Sequence, residues 1–192
     1  MAQDADAVAR LHQDERLRAH LVDDAPLDSM ARAAHFIERL NEFYSARPGL
    51  GIWHASVGQR DGSQRFVGWF SLMPLSTLPG EIELGSRLCP DAWGTGLAMD
   101  GGESLMAYAF DTLQVTRVWG ACDPANRGAR LCLGALGFSA MGTAPYEGGS
   151  ALYHELSSRH WWPWARRPRR NRLRLAAKAL RDVSHANHGS TP

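Results

Sequence analysis

A glycine-rich segment carries the clearest chemical signal in the sequence. It reads Trp93-Gly94-Thr95-Gly96-Leu97-Ala98 and lies between a predicted strand and a predicted helix. Glycines let backbone N–H groups approach an anion closely, and the N-terminus of the following helix adds a favourable dipole. A diphosphate fits such a loop. Two spaced glycines alone are more often a tight turn, and neither the Gly-Lys-Ser/Thr of a P-loop nor the third glycine of a dinucleotide fingerprint is present.

Two carboxylates precede this loop at alternate positions. Glu81 and Glu83 are two residues apart in a predicted strand, so both side chains lie on the same face. A carboxylate in this position can accept a proton from a reacting group or bind a cationic one. The structural alternative is an exposed carboxylate on a half-solvated strand.

A third segment begins at Asn126 and ends at Leu136-Gly137-Phe138. Asparagine at the start of a short helix is typical of an N-cap, and a glycine at its end is typical of a left-handed helix stop. Taken alone, both features are structural.

The hydrophobic pattern predicts the elements that position these residues. A helix is predicted from Asp6 to about Leu21, and a second helix begins at a capping Asp28 and stops at Arg47-Pro48-Gly49. Three strands joined by turns follow as an antiparallel meander. The order then changes to β-α-β-α-β-β, which predicts a mixed sheet with helices on its faces.

Length and composition indicate one globular domain. The chain has 192 residues, of which 44% are hydrophobic and 21% charged. No apolar run is long enough to span a bilayer, and the N-terminus lacks the pattern of a secretory signal. The three cysteines, Cys89, Cys122 and Cys132, are odd in number and have no metal-binding spacing. These features predict a cytoplasmic protein without disulfides or a structural metal.

The net charge of +1 hides a marked asymmetry. Residues 159–192 carry nine basic residues and one acidic residue, whereas residues 1–158 carry twelve basic and nineteen acidic ones. We therefore divide the chain into a domain, 1–158, and a basic tail rich in tryptophan and arginine, 159–192. From Asn171 the tail has the spacing of an amphipathic helix, which suits contact with an anionic membrane or RNA. The alternative is a disordered, solubilising extension whose tryptophans pack on the domain.

The three segments together resemble the GNAT superfamily of N-acetyltransferases. Within it they are most similar to the group of bacterial ribosomal-protein N-terminal acetyltransferases (RimJ/RimL-like). The resemblance covers roughly residues 6–157. Its blocks are Glu83-Leu84-Gly85, Pro90-Asp91-Ala92 with the loop that follows, and Asn126 with Leu136-Gly137-Phe138. It implies an α/β (α+β) fold with a mixed, mostly antiparallel sheet that is splayed at its centre and flanked by helices.

The resemblance also implies acetyl-coenzyme A as co-substrate, with no metal. The diphosphate would lie on the glycine-rich loop, and the pantetheine arm would run along the splayed strand and be held by an asparagine. Arg127 lies at the same end but is equally suited to a solvated surface. The implied coenzyme-binding residues are Leu88, Cys89, Trp93, Gly94, Thr95, Gly96, Leu97, Ala98, Asn126 and Arg130.

Direct transfer to a primary amine needs a base and an acid. Glu83 matches the family's Glu-x-Gly position and is assigned as the base or as the ligand of the substrate ammonium. The serine that members of the family place three residues after the asparagine is Ala129 here, which cannot donate a proton. Tyr153 on the last predicted strand is the candidate acid, although core packing is the commoner role of such a tyrosine. The first strand of the family is also missing, so either it is lost or the natural start lies before Met1.

Two functions stay open from the sequence. The first is an N-acetyltransferase, a monomer or homodimer, that acts on a protein N-terminus or a small amine. The second is a non-catalytic acyl-coenzyme A-binding or RNA- or membrane-docking module on the same fold. The identity of the acceptor, and acetyl against longer acyl donors, stay open as well.

Overall fold

A six-stranded mixed sheet organises the residues that the structure describes. The structure is a computed structural model and describes residues 2–22, 26–147 and 149–188. The strand order is β1-β2-β3-β4-β6-β5, and every neighbouring pair is antiparallel except β3 and β4. The strands are β1 (Gly51–Gly58), β2 (Gln64–Pro74), β3 (Ile82–Leu88), β4 (Arg117–Cys122), β5 (Ser139–Tyr146) and β6 (Gly149–Ser157).

Helices cover both faces of this sheet. They are α1 (Ala2–Gln13), α2 (Glu15–Arg18), α3 (Met30–Ala46), α4 (Leu97–Ala107), α5 (Arg127–Leu136), α6 (Ser158–Ala165) and α7 (Arg169–His188). A 3₁₀ turn precedes α4 and a π turn extends it. Helices α1 to α3 pack on one face, and α4 to α7 pack on the other over the main hydrophobic core. The predicted fold class is therefore confirmed.

The parallel strands β3 and β4 pair at a single position. Glu83 is registered with Trp119, after which β3 continues to Leu88 and β4 to Cys122 without further pairing. The two strands diverge from this point, so the centre of the sheet opens as the family resemblance predicted.

The N-terminal helix differs from the prediction. The expected continuous helix over 6–21 is divided into α1 and α2, because the side chain of Asp14 accepts a hydrogen bond from the backbone N–H of Arg16 and caps a new helix. The regular spacing of apolar residues continues across this break, and so the break was not predicted.

The start of α3 is also one residue later than predicted. Ser29, not Asp28, is the N-cap, and its hydroxyl accepts a hydrogen bond from the N–H of Arg32. Asp28 instead forms an ion pair with the side chain of Arg32 at 2.8 Å. Both residues are good cap formers, so the sequence does not separate them.

Helix α4 lies unusually close to its neighbours. A side chain at Gly101 would collide with the ring of Phe70 on β2, and one at Gly102 would lie within 2.6 Å of Leu136 on α5. Two consecutive glycines thus let α4 pack tightly on the sheet and on α5, which fixes the loop that precedes it.

The C-terminal segment is helical and shares the main core. Trp161 of α6 and Ala176 of α7 are buried in the same cluster as the residues of α4 and α5. The amphipathic helix predicted from Asn171 is confirmed as α7, and the alternative of a disordered extension is wrong for residues 159–188. The division of the chain at residue 158 stays a prediction. Within the described part of the chain, no helix is both long and apolar enough to span a membrane.

Candidate active site

The opening between β3 and β4 is lined by backbone groups of β3. The N–H of Cys89 donates to the carbonyl of Val67 on β2 at 2.9 Å. Because successive residues of an antiparallel strand alternate in the direction of their hydrogen bonds, the amides of Ser86 and Leu88 face away from β2. These groups point to the side where β4 has separated. The opening can therefore bind an extended chain in the manner of an added strand.

The glycine-rich loop follows directly after this strand. The indole Nε1 of Trp93 donates to the carbonyl of Leu88 at 2.9 Å, and the hydroxyl of Thr95 donates to that of Ala92 at 2.6 Å. Gly94 and Gly96 have φ angles of +75° and +96°, in the left-handed region that favours glycine. These bonds and conformations fix the shape of the loop.

The loop has the geometry of an anion site. Gly96 is the N-cap of α4, and the first amides of a helix have no carbonyl in a preceding turn to bond. A Cβ at Gly94 would meet no atom within 4 Å, and a Cβ at Gly96 would meet one side-chain nitrogen at 4.0 Å. The space above the loop is thus open, and a phosphate group fits the exposed amides.

Asn126 lies on the opposite side of the opening, where it caps α5. Its side-chain oxygen accepts a hydrogen bond from the N–H of Ala129 at 2.9 Å. The predicted N-cap is confirmed, and Gly137 closes the same helix with φ of +101°. Asn126 as a holder of pantetheine stays a prediction.

Arg130 borders a small cavity beside this cap. One guanidinium nitrogen donates to the carbonyl of Pro124 at 3.1 Å, and its Nε is buried without a hydrogen-bond partner among the described residues. The cavity has a volume of about 230 Å³ and is also lined by Arg127 and by Leu180 of α7. Arg127 and Arg130 thus lie together, close to the open end of the cleft.

Glu83 occupies the closed end of the opening. Its Oε1 accepts a hydrogen bond from the N–H of Ala121 on β4 at 3.2 Å, and its Oε2 accepts one from the hydroxyl of Tyr146 at 3.1 Å. Tyr146 was not among the predicted site residues. It lies at the end of β5, and no motif marks it in the sequence.

Glu81 lies directly before β3 rather than in the strand, and it has a different environment. Its carboxylate accepts hydrogen bonds from Arg117 at 3.1 Å and from the indole of Trp119 at 3.0 Å. The hydrogen bond with Arg117, with a smaller contribution from Trp119, lowers the pKa of Glu81 although burial opposes the shift. Glu81 is therefore held as a carboxylate in an ion pair, which suits a structural role.

Tyr153 is buried beside the same group of residues. Its ring packs edge-on against Tyr146, with 6.0 Å between ring centroids, and its hydroxyl donates to the carbonyl of Pro145 at 2.8 Å. The hydroxyl of Thr77 lies 2.7 Å away. Tyr153 thus contributes to the packing around Tyr146, and its role as an acid stays a prediction.

His20 lies across the mouth of the opening. Its Nδ1 is 3.5 Å from a carboxylate oxygen of Asp123, which follows β4, and its ring lies 6.4 Å from that of Trp93, which follows β3. The segment after α2 therefore covers part of the cleft. No motif in the sequence indicates this contact.

The cysteines are not activated as nucleophiles. Burial raises the pKa of the Cys122 and Cys132 thiols to about 11, and burial also raises the pKa of Cys89. All three thiols are protonated at neutral pH. The described residues contain no cluster of three or more histidine, cysteine or acidic side chains that would hold a metal ion.

Comparison with known proteins agrees with this geometry. Residues 1–139 match the family model of the acetyltransferase (GNAT) domain. The chain belongs to the GNAT family. A search of curated proteins finds the FsC-acetyl coenzyme A-N(2)-transacetylase of Aspergillus fumigatus, 32% identical over 103 residues. This match covers 50% of the chain and 42% of the fungal protein, so the chain spans less than half of that relative.

Two solved structures share the fold of this chain. RimJ of Mycobacterium smegmatis in complex with CoA-disulfide has a TM-score of 0.67 and is 15% identical. The match covers 92% of this chain and 86% of the RimJ chain. Aminoglycoside acetyltransferase AAC(6')-Ib in complex with coenzyme A has a TM-score of 0.65 and 16% identity, over 83% of this chain and 92% of its own. At these identities the likeness concerns the fold.

Proposed function

We propose that this GNAT protein transfers an acetyl group from acetyl-coenzyme A to a primary amine by direct attack, without a covalent enzyme intermediate. The observation that carries the proposal is the position of Glu83. It lies at the last paired residue of β3 and β4, where the cleft closes, and two hydrogen bonds orient its carboxylate. A carboxylate held at the closed end of the opening between β3 and β4 is well placed to act on an amine.

The cleft and loop supply the coenzyme site. The open space above Gly94 and Gly96 fits a diphosphate, and the amides of Ser86 and Leu88 fit the pantetheine arm. Bound acetyl-coenzyme A supplies the thioester. An N–H group of β3 that faces the opening can donate to the thioester carbonyl and stabilise the negative charge that develops there.

Glu83 performs the proton transfer. An amine attacks only in its neutral form, so the carboxylate accepts a proton from the ammonium, directly or through water. Ala121 and Tyr146 hold the carboxylate in place while it does so. The departing thiolate needs a proton. We propose Tyr153 as its donor, which requires its hydroxyl to leave the carbonyl of Pro145.

The acceptor is proposed as a protein N-terminus or a small amine. Structures with the same fold illustrate this range, since one is a ribosomal-protein-S5-alanine acetyltransferase of Vibrio fischeri and another is the aminoglycoside acetyltransferase AAC(6')-Ib. The acidic composition of residues 1–158 favours a cationic acceptor. We propose a cytoplasmic location, which the three free thiols support, and a monomer or a homodimer, which light scattering distinguishes.

A thiol-release assay tests the proposed function. Wild-type protein is incubated with acetyl-coenzyme A and a library of amines and peptides, and free coenzyme A is measured. Calorimetry without an acceptor reports coenzyme binding. Binding with amine-dependent thiol release supports the enzyme. Binding without release from any acceptor favours the non-catalytic module, and the absence of both contradicts the proposal.

A second candidate function is that α7 contacts an anionic membrane or RNA. Four basic side chains are exposed along one side of this helix, at spacings of four, four and three residues. None of them forms an ion pair with a described side chain. This basic face consists of Arg170, Arg174, Lys178 and Arg181.

A further inference from the structure

Helix α7 is joined to the helix behind the glycine-rich loop by an ion network. Arg169 of α7 lies 2.7 Å from a carboxylate oxygen of Asp100 and 2.8 Å from one of Glu103, both on α4. Arg172, whose side chain is only 5% exposed, pairs with the same Glu103 and donates to the carbonyl of Ala135. The first turn of α7 is therefore fixed against α4.

The guanidinium of Arg169 also borders the loop itself. Its Nη1 is the atom that lies 4.0 Å from the position of a Cβ at Gly96, and no other atom lies as close. The carboxylates of Asp100 and Glu103 are contacted by Nε and Nη2. Nη1 makes no hydrogen bond with the described part of the chain, so its two N–H groups remain available on the side of the loop.

We propose that Arg169 is a ligand of the coenzyme diphosphate, and that α7 thereby forms one wall of the coenzyme site. The inference rests on the proposed function. An oxygen atom bound to the loop amides beside Gly96 lies within reach of Nη1. The two carboxylates hold the planar guanidinium in one orientation, so little side-chain entropy is lost when a phosphate binds.

The alternative is that Arg169 only ties α7 to α4. The two roles differ in their dependence on the phosphates of the ligand. S-acetylpantetheine has the thioester and the pantetheine arm but no diphosphate, whereas acetyl-dephospho-coenzyme A keeps the diphosphate and lacks the ribose 3′-phosphate. A diphosphate contact affects only the ligands that carry this group. A structural tie acts through α4 and its loop, so it predicts the same loss in Glu103→Gln, which breaks the tie and keeps the guanidinium of Arg169.

Calorimetry on Arg169→Gln with the three ligands tests the proposal. A lost hydrogen bond to a charged group weakens binding by about ten- to a hundred-fold. We expect this loss for acetyl-coenzyme A and acetyl-dephospho-coenzyme A, with an unchanged affinity for S-acetylpantetheine. Arg159→Gln is the matched control. Arg159 is exposed at the start of α6, two residues after Ser157. Ser157 pairs with Arg117 at the start of β4, which is the end opposite to the open end of the cleft.

Thermal melting without ligand reports the structural contribution of the ion pairs separately. Should Arg169→Gln fail to fold, Arg169→Lys keeps the charge but not the planar fork, and the same selective loss is expected. An equal loss for all three ligands, an affinity equal to that of Arg159→Gln, or an equally large selective loss in Glu103→Gln overturns the assignment of Arg169. A loss confined to acetyl-coenzyme A overturns the diphosphate contact. Wild-type protein that binds no acetyl-coenzyme A overturns the proposed function as well.

Discussion

The hydroxyl of Tyr146 donates a 3.1 Å hydrogen bond to the carboxylate of Glu83, although their strands are separated in the sheet by β4 and β6. The other carboxylate oxygen accepts from the backbone of Ala121, just beyond the last paired residue of β4. The side chain of Glu83 thus connects β3 with β4 and with β5, at the position where the backbone pairing of β3 and β4 ends. Glu83, the proposed base, therefore also helps to hold the strands together at the closed end of the cleft.

Glu83→Gln removes the proton acceptor and keeps the shape of the side chain. We expect turnover to fall by about a hundred- to ten-thousand-fold, the usual loss when acid–base help is removed. Acetyl-coenzyme A affinity, measured by calorimetry, changes little. Glu81→Gln is the control: it breaks the pairing with Arg117 and lowers the melting temperature, but turnover stays within a few-fold. Wild-type turnover in Glu83→Gln would show that the base lies elsewhere.

Tyr146→Phe removes one of the two hydrogen bonds that orient the carboxylate of Glu83, and it keeps the ring that packs against Tyr153. Turnover should therefore fall, by less than in Glu83→Gln, because the base is kept but is less firmly positioned. Acetyl-coenzyme A affinity should change little. Steady-state kinetics and calorimetry measure the two effects, and wild-type turnover in this variant would show that the hydrogen bond does not position the base.

Gly96→Val tests the loop, and Gly80→Val is its matched control. Both glycines have φ near +90°, and neither substitution meets a close protein atom. Each should therefore destabilise the fold by a similar amount, about 1–3 kcal/mol for the strained backbone. Only Gly96→Val should lose acetyl-coenzyme A affinity, because its side chain fills the space over the amides. Equal affinities in the two variants would exclude this loop as the diphosphate site.

The ion network of α7 predicts a pH dependence of stability. Burial alone would raise the pKa of Glu103, but hydrogen bonds from Arg169 and Arg172 outweigh it, and the pKa lies below its ordinary value of 4.5. The ionised state thus stabilises the fold above pH 4.5, and this contribution is lost as the pH falls through the lowered pKa. Urea unfolding of Glu103→Gln should show a deficit against wild type at pH 7 that shrinks below about pH 4. A deficit that stays constant with pH would contradict this.

The local motifs were predictable because each is set by near neighbours. The loop over 93–98 and the caps at Asn126 and Gly137 follow from residues within one turn of chain. Glu83 was found through its motif. Its contacts with Ala121 and Tyr146 could not be predicted, because they join residues that are 38 and 63 positions apart in the sequence.

The basic tail, residues 159–192, shows more clearly that contacts between distant parts of the chain are not predicted from the sequence. Its charge is evident from the sequence, but the partners of these charges are not. The folded chain uses Arg169 and Arg172 to neutralise Glu103, and it buries Trp161 in the main core. Composition reports how many charges a segment has, but not which of them find partners in the rest of the fold.

The basic face of α7 gives the last prediction. Replacing Arg170, Arg174, Lys178 and Arg181 together by Gln removes four exposed charges and none of the described ion pairs. If this face binds an anionic surface, wild-type protein should co-sediment with phosphatidylserine vesicles or with RNA, and binding should weaken steeply as salt rises. The variant should lose this binding and keep the wild-type melting temperature and coenzyme affinity.

The substitution is a sharper test than truncation after Ser158, because truncation would remove Trp161 and Ala176 from the core and destabilise the domain. Co-sedimentation with vesicles and with RNA, each at several salt concentrations, distinguishes the two surfaces. Equal sedimentation of wild type and variant on both would contradict a role of α7 in anion binding, and its charges would then serve only solubility.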